Sequence, residues 1–168
     1  MKTTLYMAIT ANGMIACKNG DSDWVSAADT KSFEAICKKI GAVVIGYNTY
    51  QVLGDDGILD GVLYVVLTHK NIPNEKPNVL FISQSPKDTL LMLESKGYKG
   101  VLIAGGADVN AQFLKEKLVD EIYLDVEPLI IGDGIPLFKE GNFDCELKLI
   151  ETKKLSSQTV QLHYKVLK

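Results

Sequence analysis

The sequence predicts an α/β protein of one domain over residues 1–168, built on a mixed, mostly parallel sheet of about eight strands with about four helices and closed by a C-terminal antiparallel hairpin. Three observations carry this prediction. Short apolar runs such as Ala42–Ile45 and Val101–Ala104 end at glycine and pass directly into helix-period sequence. Strand and helix signals alternate up to about residue 118, and the strands are apolar throughout rather than every second residue, which is the pattern of parallel strands covered on both faces. From Leu147 onward the pattern changes to two alternating strands, Leu147–Leu155 and Thr159–Leu167, joined by Ser156-Ser157-Gln158, which reads as a hairpin.

The first strand is Thr3–Thr10, β-branched and apolar. Asn12-Gly13 turns it, Met14-Ile15-Ala16 continues as an apolar stub, and Lys18–Asp21 is turn chemistry again. Ser26 is a good N-cap, with Asp29 three residues later as in a capping box. The helix that follows carries Phe33, Ile36, Cys37 and Ile40 on one face, and that stripe extended back four residues lands on Asp29. A carboxylate therefore faces the core near the N-terminus of an amphipathic helix. Gly41 ends the helix, and the strand Ala42–Ile45 runs into Gly46-Tyr47-Asn48-Thr49-Tyr50, a strand–glycine–helix junction.

Val62–Thr68 is the next strand, with His69-Lys70 at its carboxyl end, then a Pro/Asn loop over 71–78 and the short strand Val79–Ile82. Ser85, Pro86 and Asp88 are N-cap, N1 proline and N3 acid of a helix with Leu90 and Leu93 on its apolar face, ended by Gly97. Val101–Ala104 then meets Gly105-Gly106 and a helix with Ala107, Ala111, Leu114 and Leu118 on one face. Two residues without Cβ before a helix N-terminus let the backbone approach an anion while the first-turn N–H groups point at it. The same stretch also reads as a plain strand-to-helix turn. Glu121–Val126 is a strand, and Leu129–Phe138 reads as an apolar loop broken by Gly and Pro.

Composition narrows the function. A net charge of −3 and the absence of a basic stripe argue against nucleic acid as a partner. No apolar run approaches 18 residues and no basic-then-apolar leader is present, so neither a membrane partner nor export is expected, and a cytoplasmic location is. The cysteines Cys17, Cys37 and Cys145 are far apart and the only histidines are His69 and His163, so no metal site is expected. All 18 basic residues are lysine. Without arginine, an anionic ligand must be held by lysine point charges, backbone N–H groups and hydroxyls.

Several pieces, in this order, resemble the dihydrofolate reductase superfamily, closest to the riboflavin biosynthesis reductase (RibD C-terminal) domain family. They are Ala8-Ile9 with Asn12–Ile15, the acidic helix with Asp29 and Phe33, Val44-Ile45-Gly46-x-x-Thr49-Tyr50, Gly105-Gly106-x-x-Val109-x-x-Gln112-Phe113-Leu114, and the tail Gly132-Asp133-Gly134-Ile135-Pro136-Leu137-Phe138. The resemblance implies the three-layer fold of that superfamily and NADPH-dependent hydride transfer to a pyrimidine or pterin. A stand-alone 5-amino-6-(5-phosphoribosylamino)uracil reductase is preferred, since no zinc-deaminase signature is present. Dihydrofolate reduction, or a non-catalytic nucleotide-binding protein of the same fold, is the alternative.

Carried over by residue, the resemblance puts Ala8 and Ile15 at the nicotinamide. It puts Gly46, Tyr47, Asn48 and Thr49 on one side of the pyrophosphate, and Ala104, Gly105, Gly106, Ala107 and Val109 on the other. Thr68, His69 and Lys70 would meet the adenosine 2′-phosphate, and Ser83 the adenine. Asp29, as substrate anchor and catalytic carboxylate, Phe33 and Asn12 would meet the substrate ring. A homodimer is implied by the same analogy. Tyr47 and Asp108 stand where basic residues are found in dihydrofolate reductases, which leaves Lys70 to carry a preference for NADPH and keeps NADH as an alternative. Each assignment has a plainer reading: Asp29 as the acid of a capping box, Thr49 as a cap, Lys70 as a solvated loop charge, and Phe33, Trp24 and His163 as structural residues.

Overall fold

The computed structural model describes all 168 residues. The elements in chain order are β1 (Lys2–Thr10), β2 (Met14–Cys17), α1 (Ala27–Ile40), β3 (Ala42–Gly46), α2 (Tyr47–Leu53), β4 (Leu63–Leu67), β5 (Val79–Ile82), α3 (Pro86–Ser95), β6 (Gly100–Ile103), α4 (Ala107–Lys115), β7 (Glu121–Glu127), β8 (Gly134–Pro136), β9 (Glu146–Lys154) and β10 (Val160–Leu167). Eight strands form one sheet in the order β5-β4-β3-β6-β1-β7-β10-β9, parallel from β5 through β7 and antiparallel at β7-β10-β9.

The order explains the layers. The chain steps outward from β1 to β3 to β4, and then returns from β5 to β6 and on to β7. Right-handed crossovers taken in opposite directions put their helices on opposite faces. Accordingly Phe33, Ile36, Cys37 and Ile40 of α1 and Leu53 of α2 pack with Val43, Ile45, Tyr64, Val66 and Leu102 on one face. Leu93 of α3 and Val109, Phe113 and Leu114 of α4 pack with Leu5, Val44, Val65, Val101 and Ile103 on the other. Strands buried on both faces are the reason the sequence reads as continuous apolar runs.

Two expectations need correction. The segment 129–138 is not loop throughout, because Gly134–Pro136 pairs antiparallel with β2 as a separate two-stranded sheet. A Cβ on Gly134 would lie 2.7 Å from the Ala16 carbonyl oxygen, so this pairing requires glycine there. Leu118 lies beyond α4, which ends at Lys115. The chain reverses there through Lys117 at φ 57°, and the Leu118 N–H donates to the Phe113 carbonyl at 3.0 Å, a left-handed helix ending made without glycine. No helix is long and apolar enough to cross a membrane.

Candidate active site

The β1–β6 ladder stops at Leu5↔Ile103, whereas β1 continues against β7 as far as Thr10↔Glu127. Beyond the ends of β3, β4, β5 and β6 the sheet opens into a cleft of about 1120 Å³. It sits where the chain's outward path (β3, β4) and its return path (β6, β7) diverge. In open α/β sheets, the crevice at such a switch point is where ligands bind.

Two glycine junctions meet at its floor. The Gly46 N–H donates to the Gly105 carbonyl at 2.8 Å, tying the end of β3 to the turn after β6. A Cβ on Gly106 would lie 3.3 Å from Thr49 Oγ1, and one on Gly105, at φ +88°, 3.1 Å from Met7 Sδ. A Cβ on Gly46 would stand 3.2 Å from Val109 Cγ2. The backbone here is bare because side chains would fill the space, and the hydroxyl of Thr49 hangs over it. Both Gly46 and Gly106 are the N-caps of the helices that follow and provide no side-chain cap, so the first-turn N–H groups stay open toward the cleft.

The far end of the cleft is polar and cationic. His69 Nδ1 and Ser83 Oγ are 2.9 Å apart, and the Lys70 N–H donates to Thr68 Oγ1 at 3.1 Å. Lys70 forms no ion pair, and its Nζ lies 4.3 Å from the centroid of the Tyr47 ring. Tyr47 packs in turn on Tyr50 and Phe81, at centroid distances of 6.3 and 6.4 Å. Asp108, expected to weaken anion binding, is held by Lys139 at 3.0 Å and by Gln112 Nε2 at 2.7 Å.

Of the residues expected in the site, Ile15, Gly46, Tyr47, Asn48, Thr49, Thr68, His69, Lys70, Ser83, Gly106, Ala107 and Val109 line this cleft. The others do not. Ala8 lies in β1 opposite Asp125, Ala104 is buried at the end of β6, and Gly105 supports the floor from behind through its carbonyl. Asn12 is committed to the loop after β7: its Oδ1 accepts from Thr10 Oγ1 and the Ile131 N–H, and its Nδ2 donates to the Ile131 carbonyl. Phe33 is a core residue against the Tyr6 ring, 5.5 Å between centroids. Met7, Ile135 and Pro136 line the cleft without having been expected. Strand β8, absent from the sequence reading, is what brings the last two there.

Asp29 also stands outside the cleft. Ser26 caps α1 by accepting from the Asp29 N–H at 3.2 Å, but the reciprocal bond of a capping box is missing, because the Ser26 N–H donates to Glu127 and the Asp29 carboxyl faces inward at 5% exposure. There it joins a buried polar group made by α1, β1, β7 and β10. Tyr6 OH lies 2.5 Å from Asp125 Oδ2 and 3.2 Å from Asp29 Oδ1, and Gln161 Nε2 donates to Asp125 Oδ1 at 2.8 Å. Glu127 accepts from the Ser26 N–H (3.1 Å), Ser26 Oγ (2.6 Å) and Thr159 Oγ1 (2.9 Å). One phenolic proton cannot serve two carboxylates. Asp125 has a second donor in Gln161, so Asp29 is the acid that keeps its proton. Burial first, then the hydrogen bond and charge of Asp125, push the Asp29 carboxyl up to about 8. Burial raises Asp125 as well, and moves the Tyr6 hydroxyl upward.

This group gives a direct stability expectation. Ser26→Ala removes both the cap of α1 and the hydroxyl that donates to Glu127, leaving a buried carboxylate one donor short. A loss of about 2–4 kcal/mol is expected in urea unfolding, from the cap and the unmade bond together. A loss below about 0.5 kcal/mol would show that water replaces the serine.

A dinucleotide passes the test that these residues set. The glycine floor would be filled by any Cβ, the hydroxyl of Thr49 overhangs it, and an unpaired lysine stands on an aromatic ring at the cationic end. The cleft is at the upper end of the volume of small-molecule sites, as a long ligand needs.

Comparison with known proteins agrees in fold and in family. The RibD C-terminal domain matches residues 1–161. Protein YwjB of Bacillus subtilis is 31% identical over 169 residues, 97% of each chain. A 2,5-diamino-6-ribosylamino-4(3H)-pyrimidinone 5′-phosphate reductase of Methanothermobacter thermautotrophicus is 26% identical over 170 residues, covering 76% of this chain and 78% of that one. Among solved structures, a pyrimidine reductase-like protein from Corynebacterium diphtheriae superposes with a TM-score of 0.77 at 18% identity, covering 99% of this chain and 92% of that one, which speaks to fold alone.

Proposed function

This chain belongs to the RibD C-terminal domain family, and from that premise we propose that it is an NADPH-dependent reductase that passes hydride to a pyrimidine-type ring, with 5-amino-6-(5-phosphoribosylamino)uracil as the preferred substrate class. The observation that carries the reading is the glycine floor under Thr49 joined, in one cleft, to the cationic end at His69 and Lys70. Gly46–Thr49 and Gly106-Ala107 would hold the pyrophosphate, and Lys70, His69 and Thr68 the 2′-phosphate, with Ser83 beside the adenine. Met7 and Ile15 would flank the nicotinamide, where apolar walls exclude water from the reacting carbon. The hydride itself is the dinucleotide's chemistry, and the chain provides orientation.

The position of Asp29 favours a second reading. A carboxyl closed away behind the sheet cannot anchor a substrate in the cleft as it stands, which fits a nucleotide-binding protein without turnover. Two measurements separate these. Calorimetric titration should give a micromolar dissociation constant for NADPH and a much weaker one for NADH. The Lys70→Gln variant should lose about tenfold or more for NADPH, with NADH unchanged, since only the former has a phosphate to lose. Loss of the reduced-nicotinamide absorbance when aminouracil phosphoribosides are added would then establish catalysis. Binding of neither dinucleotide would end the cofactor assignment, and NADPH binding without turnover on pyrimidines or pterins would leave the second reading.

A further inference from the structure

Of the 18 lysines, only Lys70 and Lys139 line the cleft, together with the acids Asp108 and Glu140. Lys70 stands at the far end on the Tyr47 ring. Lys139 lies instead beside the N-terminus of α4. It follows directly on Phe138, where the motifs that carry the family resemblance end, and no periodicity points to it.

The backbone of Lys139 is fixed in place and its side chain is not. The Lys139 N–H donates to the Ala107 carbonyl at 3.0 Å, and Asn110, fully buried, donates through Nδ2 to the Leu137 carbonyl at 2.9 Å. Between them Phe138 packs into the core, edge-on to Phe143 at 6.0 Å between centroids. These contacts bolt residues 137–139 onto the start of α4. The Lys139 side chain projects from that anchor at 67% exposure, and its Nζ reaches Asp108 Oδ1 at 3.0 Å. Asp108 has a second holder, since its Oδ2 accepts from Gln112 Nε2 at 2.7 Å.

Asp108 is the acid of the first turn of α4, where the helix dipole favours a carboxylate for the same reason that it favours a phosphate. Its carboxylate therefore holds Lys139 where a ligand's anion would hold it. An ion pair this exposed adds little stability, so the lysine is readily released to a more highly charged partner. The pyrophosphate of a dinucleotide is doubly charged, and lysine meets it as a point charge. Asp108 stays bonded to Gln112 when Lys139 turns away from it. Without Lys139, this corner would set Asp108 and Glu140 against an anion held only by backbone N–H groups and the Thr49 hydroxyl.

We propose that Lys139 is the cation of the pyrophosphate subsite, and that Asp108 holds it until the pyrophosphate displaces the carboxylate. The role rests on the dinucleotide reading of the cleft. It adds a residue that serves NADPH and NADH alike, whereas Lys70 would serve NADPH alone.

Calorimetric titration with NADPH and with NADH tests this on the parent and four variants. Lys139→Gln should weaken both dinucleotides by the same factor, about tenfold, and Lys139→Arg should restore affinity to within about threefold of the parent. Asp108→Asn, whose amide oxygen still accepts from Gln112, should tighten both by about threefold or more, because no carboxylate then competes for the lysine. Lys115→Gln removes the same charge from the last turn of α4, outside the cleft, and should change neither. Unchanged affinity in Lys139→Gln or in Asp108→Asn would make the pair a surface ion pair and nothing more. A loss confined to NADPH would move Lys139 to the 2′-phosphate, and an equal loss in Lys115→Gln would reduce the effect to net charge. Each of these results overturns the proposal while the parent's own binding upholds the dinucleotide reading. A parent that binds neither dinucleotide ends both.

Discussion

Gly106→Ala is expected to leave the fold standing and to weaken dinucleotide binding by about ten- to a hundredfold, or about 1.4–2.8 kcal/mol. Gly106 has φ −74°, which any residue adopts, and its carbonyl accepts the Asn110 N–H at 3.0 Å without involving a Cβ. The alanine methyl would stand 3.3 Å from Thr49 Oγ1, in the space where a phosphate oxygen would approach the backbone. Gly105→Ala should behave differently. At φ +88° a Cβ costs about 1–3 kcal/mol of backbone strain, and it would meet Met7 Sδ at 3.1 Å, pressing a cleft-lining side chain out of position. This variant should lose both stability and binding, whereas Gly106→Ala loses binding alone. Gly132→Ala, where a Cβ meets nothing within 4 Å, is the matched control. Thermal melts and calorimetry on the three variants distinguish the cases. Unchanged NADPH affinity in Gly106→Ala would mean that the glycine floor is a turn and nothing more.

How far this site was legible depends on the range of the interactions that build it. Gly46–Thr49 and Thr68–Lys70 could be placed from sequence, because in a parallel sheet whatever follows an apolar run lies at the carboxyl edge, and Val79–Ile82 was readable to the residue. Strand β8 was not, because three residues containing Gly and Pro have no period of their own. Its partner Met14 lies more than a hundred residues earlier in the chain, so only the folded structure shows that Ile135 and Pro136 reach the cleft. The end of α4 was misread for a related reason: its left-handed residue is Lys117, so the glycine that ordinarily marks such an ending is missing. Asp29 is the instructive case. Helical periodicity gave its face correctly, and Ser26 gave its cap, but periodicity gives direction and not destination. What the side chain reaches was decided by Tyr6, Asp125 and Gln161, each sitting among apolar neighbours in strands β1, β7 and β10, where nothing local flags them.

That destination sets the second large effect. Asp29→Asn should stabilise the protein relative to the parent, and by several times more at pH 8 than at pH 5, with NADPH affinity unchanged at both. In the unfolded chain the carboxyl ionises near its ordinary value of about 3.9, whereas in the folded protein burial and Asp125 hold it protonated up to about 8. Between those values the folded state binds the extra proton, so stability from this group is fully present below about pH 4 and is lost as pH rises through the folded value. The limiting slope is about 1.4 kcal/mol per pH unit, shared in practice with Asp125, which burial also raises. Asparagine is close in shape to the protonated acid and donates toward Asp125 in its place, but has no proton to lose. The difference in unfolding free energy between the variant and the parent should therefore move toward the variant by a few kcal/mol between pH 5 and pH 8, read from urea titrations at the two values. Equal differences at both would show that Asp29 is ionised in the folded protein and that the buried group carries its charge unaided. Turnover adds a decisive arm: if Asp29→Asn binds NADPH normally yet loses reduction of an aminouracil, α1 must open its N-terminal turn to the substrate during the reaction, and the buried position of Asp29 is that of a closed resting state.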